Sequence, residues 1–485
     1  MPRRSRWLIA CLLTLALTNP LAAQGIAQHH RVVQAIQLLR LWLDAQRDYQ
    51  QLPGVSAAVV HDQEVLWNGG FGYADRERKQ PATASTIYSI CSISKLFTSI
   101  AVMQQRDAGR LRLDDSVAQH LPWFRIQRSD SVGPEVTVEG LLTHASGIPR
   151  EADAPYWTGP DFVFPTREQV IERLSRQTTL QEAETYFQYS NLGLTLAGEI
   201  VAATSGEPYA QYVRSHILTP LGLASTTPEM PVDQRGKRLA VGYTSIQRDG
   251  RRNPVAFFTT KGIAPAAGYA STVEDLGRFA SWQFRVLARK GGEDILQTNT
   301  LREMQRVHWI DPDFETIWGL GFAITRNKEK TFVGHGGSCP GFRSQLLLKP
   351  DEQVATVIMV NAQGVNTGAF TQQVYAIMAP AIKAAASDTT PVRPADTTFA
   401  RYAGTYDLGF AGETAVIPWQ DGLAAVDFPT MDPMGEMDRF KKVGEHTFRR
   451  VRKDDTLAET VVFEIGADGR ATGMRWHQNT YRRVR

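Results

Sequence analysis

Residues 92–106 read Ser92-Ile93-Ser94-Lys95-Leu96-Phe97-Thr98-Ser99-Ile100-Ala101-Val102-Met103-Gln104-Gln105-Arg106. Leu96, Phe97, Ile100 and Met103 recur at three- and four-residue intervals, the mark of an apolar helical face. Gly109 supplies a stop. Ser92 and Lys95 stand three apart at the head of this helix, so they share a side and the amine can reach the hydroxyl. A serine hydroxyl is a weak nucleophile until a base takes its proton. A lysine serves as that base when burial or a nearby cation lowers its pKa. Alone the pattern says little, because composition gives on the order of one chance Ser-x-x-Lys in a chain this long. An exposed helix face accounts for it equally well.

Outward from this helix the chain is punctuated by apolar runs. Residues 55–60 and 65–70 flank His61-Asp62-Gln63-Glu64 and read as a hairpin. Before them, Val32, Ile36, Leu39 and Leu43 carry helical spacing across residues 30–50. After a long helix-rich middle come runs at 331–333, 342–348 and 354–360, the last two separated by the turn Lys349-Pro350-Asp351-Glu352. Strands at both ends with helices between them predict one α/β domain whose sheet is closed by its own termini. Residues 384–398 are rich in Ala, Thr, Pro and Asp and read as a linker. Beyond it, short β-prone runs at 414–419, 422–426, 447–451, 460–465 and 474–476 alternate with Gly and Asp turns, which predicts a small all-β domain at 399–485.

The 485 residues are 42% hydrophobic and 21% charged, enough apolar material for a sizeable core. The net charge is +3, and Arg3, Arg4 and Arg6 account for all of it, since residues 1–23 hold no acid. A charge-balanced remainder argues against a nucleic-acid partner. The basic residues 3–6, the apolar run 7–17 and the small residues near Ala23 read as an export signal over 1–23. Cleavage there would leave a periplasmic or secreted chain without a stable membrane span. The domain then runs over 24–383. The arginines near the C-terminus do not form a basic patch, because residues 395–485 hold 13 bases and 14 acids.

Two further motifs reweigh the first. Tyr189-Ser190-Asn191 opens a second apolar-periodic segment with Leu194, Ala197, Ile200 and Val201. Tyrosine can relay a proton, and asparagine can hold an amide carbonyl. His335-Gly336-Gly337 follows the run 331–333, where glycines let a substrate approach the strand backbone. Each, standing alone, is explained by a core aromatic or a loop histidine.

The ordered set Ser-x-x-Lys, Tyr-x-Asn and His-x-Gly resembles the serine β-lactamase and penicillin-binding protein superfamily, in its class C, D-aminopeptidase and esterase-like branch. Residues 137–149, 265–279 and 318–322 look like further landmarks, and the resemblance covers about residues 50–365. It implies an α/β (α+β) fold: an antiparallel sheet flanked by helices with an all-helical lobe. The terminal all-β domain is similar to the barrel-like appendages of D-peptidases. By resemblance Ser92 is the acylated nucleophile, Lys95 and Tyr189 transfer protons, and Asn191 and Gly337 belong to the substrate site. His335 takes the place of a lysine, and the backbone N–H groups of Ser92 and Ser338 form the oxyanion hole. No metal or cofactor is implied. The resemblance implies an exported serine hydrolase of a small-molecule or peptide substrate, cleaving esters, amides or D-configured peptides; a class C-like β-lactamase or D-Ala-D-Ala carboxypeptidase is the alternative, and a penicillin-sensing module with little turnover is another.

Departures matter. Gly336 stands where transpeptidases and most β-lactamases carry a Thr or Ser that helps bind the substrate carboxylate. This favours esters or D-peptides over β-lactams, with a protonated His335 as partial compensation at mildly acid pH. No Glu-x-x-Leu-Asn occurs between the motifs, and no Gly-x-Ser-x-Gly or His-Glu-x-x-His occurs at all. Lys290-Gly291-Gly292 lies in a charged turn and is set aside. Past the signal segment only Cys91 and Cys339 remain. Convergence of the motifs would bring them close, but a covalent tie would restrain the oxyanion-hole loop, so two free cysteines are expected.

Overall fold

The computed structural model describes residues 25–129, 133–289, 294–388 and 397–485. The export segment 1–23 and the Lys290-Gly291-Gly292 turn lie outside the described residues.

Strands are numbered in chain order. The main sheet contains β1 (Gly54–His61), β2 (Glu64–Asp75) and β3 (Gln80–Pro81) from the N-terminal part. A two-strand ribbon, β4 (Tyr88–Ser89) with β5 (Ala270–Ser271), stands apart from it. The sheet resumes with β6 (Trp309–Ile310), β7 (Ile317–Trp318), β8 (Ala323–Asn327), β9 (Lys330–Cys339), β10 (Phe342–Lys349) and β11 (Val354–Val360). Its order is β3-β2-β1-β11-β10-β9-β8-β7-β6, and its ladders are antiparallel. β1 pairs β11 from Val55 opposite Val360 to His61 opposite Val354, so the two ends of the domain do close the sheet.

The period of two along each strand sorts its side chains between two cores. Val55, Ala57, Val59, Ile358 and Val360 face the terminal helices His30–Tyr49 and Thr367–Ser387. Ala58, Val60, Val357 and Met359 face the helical lobe. That explains why β11 reads as an unbroken apolar run: it is central and covered on both sides. In the lobe, helix Ser94–Asp107 is preceded by the 3-10 turn Cys91–Ile93. Phe97 stacks between Tyr269 and Phe279, with ring centroids 5.0 and 4.6 Å away. The aromatics of the 152–164 loop close on themselves, Trp157 lying edge-on to Phe164 and Phe164 stacking on Phe258.

The last helix runs to Ser387, into the segment expected to be linker, since Ala384, Ala385 and Ala386 are good helix formers. Residues 389–396 of that segment lie outside the described residues. β12 (Gly404–Asp407), β13 (Glu413–Trp419), β14 (Gly422–Phe428), β15 (Asp438–Lys442), β16 (Thr447–Val451), β17 (Leu457–Ile465), β18 (Ala471–Trp476) and β19 (Asn479–Arg483) form a closed barrel. The pairing of Tyr406 with Arg483 completes it. Its own core is aromatic, with Tyr406, Phe440, Phe448, Phe463 and Trp476 inside. Its outer face supplies Ala415, Ile417, Ala424, Val426 and Phe428 to the core beneath the terminal helices. The Trp42 indole and the Gln46 amide both donate to the Thr430 carbonyl, at 3.0 and 2.6 Å. These contacts place the barrel behind the sheet, on the face away from Ser92. Among the described residues no helix is long and apolar enough to cross a membrane.

Candidate active site

Ser92 sits in the turn that feeds the lobe's central helix. Cys91, just before it, holds the left-handed backbone at φ 52°, which turns the chain sharply from the β4 ribbon into the helix. Ser94 fixes that turn: its hydroxyl donates to the Cys91 carbonyl at 2.5 Å and accepts from the Tyr269 amide at 3.0 Å. One residue further, Lys95 is 0% exposed. Its Nζ lies 3.1 Å from Ser92 Oγ, 2.8 Å from Asn191 Oδ1 and 2.8 Å from the Ala266 carbonyl. Desolvation holds its pKa well below the usual lysine range; Arg150 adds to the depression and Glu151 opposes it.

Those three partners determine where the lysine's lone pair points. Asn191 Oδ1 and the Ala266 carbonyl can only accept, so the two N–H bonds of the neutral amine go to them. The lone pair is then left for Ser92.

Tyr189 and Asn191 are delivered together. Ser190 caps the helix Asn191–Ser205 by accepting from the Gly193 amide at 2.8 Å, and donates to the Pro149 carbonyl at 2.6 Å. The Ser190 amide donates to His144 Nδ1 at 3.1 Å. The Tyr189 ring lies 4.3 Å from the His144 ring, while Lys95 Nζ and the Arg150 guanidinium are each 4.9 Å from its centroid. Burial raises the Tyr189 pKa, and a hydrogen bond with Ser92 opposes that rise. The phenol therefore stays protonated at neutral pH.

On the far wall, the β8 ladder stops where Ala323 pairs Gly334. Among the described residues, His335–Cys339 pair only with β10, so one edge of this stretch is open beside Ser92. Glycine is required at 337, because a Cβ there would lie 2.2 Å from the Ile90 carbonyl oxygen. The strand then reverses through Pro340 and Gly341, the latter at φ 82°, a sequence suited to a type II turn.

His335 is 4% exposed, with Nδ1 2.6 Å from the Gly336 carbonyl and its ring edge-on to Trp318 at 5.5 Å. Its Nε2 is buried without a hydrogen-bond partner. Desolvation, then the nearby Lys95, push its pKa down to about 3. The expectation of a protonated His335 at mildly acid pH is therefore corrected: the ring is neutral there, because burial costs the cation its hydration. A Cβ at 336 would lie 2.7 Å from Gln345 Oε1, so a side chain there requires the end of the β10 carboxamide to move aside.

A second correction concerns the cysteines. Cys91 and Cys339 are joined in a disulfide, with Cα atoms 5.7 Å apart and a sequence separation of 248. The open strand edge and the nucleophile turn approach more closely than a mere convergence of motifs required, well inside the reach of the bond.

The structure thus gathers Ser92, Lys95, Tyr189, Asn191 and His335 in one place, with Gly337 and Ser338 along the adjoining edge. Sequence reasoning passed over His144 and Glu151. Glu151 accepts from Asn191 Nδ2 at 2.8 Å, from the Tyr156 hydroxyl, and from Arg150 Nε at 3.2 Å. His144 lies within the 137–149 landmark, whose polar residues are the signal that points to it; Glu151 lies just past that stretch, where nothing in the pattern singles it out.

A mixed helical lobe and antiparallel sheet with a Ser-x-x-Lys turn facing an open strand edge defines the class. The chain belongs to the beta-lactamase family, whose model matches residues 39–376. It is 26% identical over 321 residues to Protein flp of Staphylococcus aureus (strain MW2), covering 64% of this chain and 60% of that protein. It is 27% identical over 307 residues to Beta-lactamase-like protein 2 of Dictyostelium discoideum, covering 60% and 53%. The match thus spans little more than half the length of these curated relatives. Among solved structures it is similar to the octameric penicillin-binding protein homologue of Pyrococcus abyssi, with a TM-score of 0.63 and 23% identity over 92% of this chain and 99% of that one. This last likeness is one of fold.

Proposed function

We propose that the protein is an exported serine hydrolase that forms an acyl-enzyme on Ser92 and cleaves esters or D-configured peptide amides in preference to β-lactams. The observation that carries this reading is the buried Lys95 amine, 3.1 Å from Ser92 Oγ, with its other two partners restricted to accepting. The neutral amine takes the Ser92 proton as Oγ attacks the substrate carbonyl. The backbone N–H groups of Ser92 and Ser338 receive the developing oxyanion, an interaction of the kind worth several kcal/mol in acyl transfer. Tyr189, protonated and beside Ser92, passes a proton to the leaving group. Water then releases the acyl group by the reverse relay. The disulfide supports the export reading, since such bonds persist in oxidising compartments.

The preference against β-lactams rests on the third motif. A neutral His335 and the missing hydroxyl at 336 leave a substrate carboxylate without that partner, and losing one hydrogen bond to a charged group costs about 1.5–3 kcal/mol. This amounts to roughly a tenfold to hundredfold loss for carboxylate-anchored substrates. The direct test is a panel of short-chain aryl esters, D-aminoacyl amides and a chromogenic cephalosporin, combined with intact-mass analysis after a fluorophosphonate. We expect turnover of the first or second class and an adduct on Ser92 that Ser92→Ala abolishes. A higher kcat/KM for the cephalosporin than for every other substrate, or labelling that persists in Ser92→Ala, contradicts the reading.

A second expected result concerns the contact between a side chain at 336 and Gln345. Gly336→Thr by itself drives Cβ against the Gln345 carboxamide, whereas Gly336→Thr with Gln345→Ala leaves room for the hydroxyl. The double variant should raise cephalosporin acylation about tenfold, the worth of roughly one such hydrogen bond, and leave aryl-ester hydrolysis near its starting rate. Stopped-flow acylation rates for the single and double variants check this; equal rates for all three proteins contradict it.

A further inference from the structure

We infer that the Cys91–Cys339 disulfide is a positioning element of the oxyanion hole, holding the nucleophile turn at a fixed distance from the open edge of β9. This rests on the proposed roles of Ser92 and Ser338. Cys91 immediately precedes Ser92 and Cys339 immediately follows Ser338, so the bond joins the direct neighbours of both donor residues. An oxyanion hole acts only when both donors stand about 2.7–3.1 Å from one oxygen position, and errors of roughly 0.5 Å are already costly.

What else fixes that spacing is limited. The β8 ladder ends at Gly334, one residue short of the segment that matters. From the other side, β10 holds the strand through Arg343 opposite Ser338 and Phe342 opposite Cys339. Ser89 Oγ lies 3.2 Å from Cys339 Sγ of β9, and from β10 the Ser344 hydroxyl donates to the Ile90 carbonyl at 2.9 Å. Both contacts lie on the approach to the turn, before the left-handed Cys91. At Cys91 itself, Ser94 binds the turn to its own helix, and the disulfide is the tie that reaches across to β9. Both half-cystines belong to the buried lobe core, so the tie is anchored in packed surroundings at each end.

The inference has a chemical handle. Two thiol molecules reduce the bond through a mixed disulfide, giving two cysteine thiols and one small-molecule disulfide, with two electrons and two protons passing to the protein. The hole should then lose its spacing while the rest of the site remains. The test compares the oxidised full-length protein, the same protein reduced with an excess of a small-molecule thiol and checked for two alkylated thiols by intact mass, and Cys91→Ala/Cys339→Ala. Each is assayed on an aryl ester and on the matching thionoester, whose sulfur is a poor acceptor in the hole. We expect kcat for the ester to fall about tenfold with KM within twofold, and the ester-to-thionoester ratio to shrink by a similar factor. A role in stability alone lowers the melting temperature and leaves that ratio unchanged. Hydrogen exchange supplies a readout independent of turnover: reduction should speed exchange in peptides covering 335–339 while barrel peptides stay as they were.

An unchanged ester-to-thionoester ratio in both disulfide-free forms overturns the inference, as does unchanged exchange at 335–339 or the finding of two free thiols in protein purified without reductant. If the oxidised protein neither turns over a substrate nor labels with fluorophosphonate, the proposed function fails instead, and the exchange measurement still decides the tie.

Discussion

Lys95→Met should lower kcat/KM on an aryl ester by about a thousandfold and leave the melting temperature within a few degrees of the parent. The activity loss follows from removing the only side-chain amine in contact with Ser92 Oγ among the contacts described above. General-base assistance in this setting is worth about 10²–10⁴ in rate. The stability result follows from opposing terms. Methionine matches the length of the lysine stem, and removing the amine ends the desolvation cost that depresses its pKa. Against that, Asn191 Oδ1 and the Ala266 carbonyl lose a donor, at about 1–3 kcal/mol for each buried group left unsatisfied. In the parent, the neutral amine is the active form, so kcat/KM should rise with pH through the lowered Lys95 pKa and level off well below pH 10. His335, with its pKa near 3, adds no limb between pH 5 and 8. A pH–rate profile of the parent and a thermal melt of the variant check both halves. A variant within tenfold of the parent would remove Lys95 from the proposed mechanism.

The legibility of this chain followed the amount of apolar surface each element buries. β1, β10 and β11 are central, so their runs stand out in sequence and correctly joined the two ends of the domain. The two-residue strands β3, β6 and β7 bury too little to leave a pattern. In the barrel, five strands were read from short β-prone runs, while β12, β15 and β19 were missed. β15 (Asp-Arg-Phe-Lys-Lys) and β19 (Asn-Thr-Tyr-Arg-Arg) each bury one aromatic, Phe440 or Tyr481, among solvated polar neighbours. Such segments become strands because the barrel needs them to close, not through local preference. The site residues were legible because three motifs occur in a fixed order. The disulfide was misread through a mistaken physical premise: restraint of the oxyanion loop was counted against the bond, whereas a hole of fixed geometry gains from it. Glu151 left no signal, since a lone acid in a loop resembles any solvated one.

Glu151 nevertheless controls which end of Asn191 faces the lysine, and Glu151→Gln should lower kcat/KM about a hundredfold. The carboxylate can only accept, so it draws Asn191 Nδ2 to itself at 2.8 Å and turns Oδ1 toward Lys95 Nζ, also at 2.8 Å. That orientation consumes a lysine N–H and leaves the lone pair for Ser92. A glutamine at 151 can donate as well as accept, which permits Asn191 to flip and present its own N–H groups to the lysine. The lone pair is then engaged by Asn191, and the Ser92 proton has no acceptor. The pH profile separates this from a loss of packing. Glu151 raises the Lys95 pKa, while desolvation and Arg150 lower it; the other titratable groups around the amine are Tyr189, held protonated, and the neutral His335 and His144. Removing the carboxylate charge should therefore move the acid limb to lower pH even as the plateau falls. Adding Asn191→Asp to the variant restores an acceptor-only group beside Lys95, with the new glutamine donating to its other oxygen. That double variant should recover part of the lost rate and shift the acid limb above the parent's, because the carboxylate now touches the amine directly. An acid limb that moves upward in Glu151→Gln, or a rate within twofold of the parent, would show that Asn191 keeps its orientation without the carboxylate.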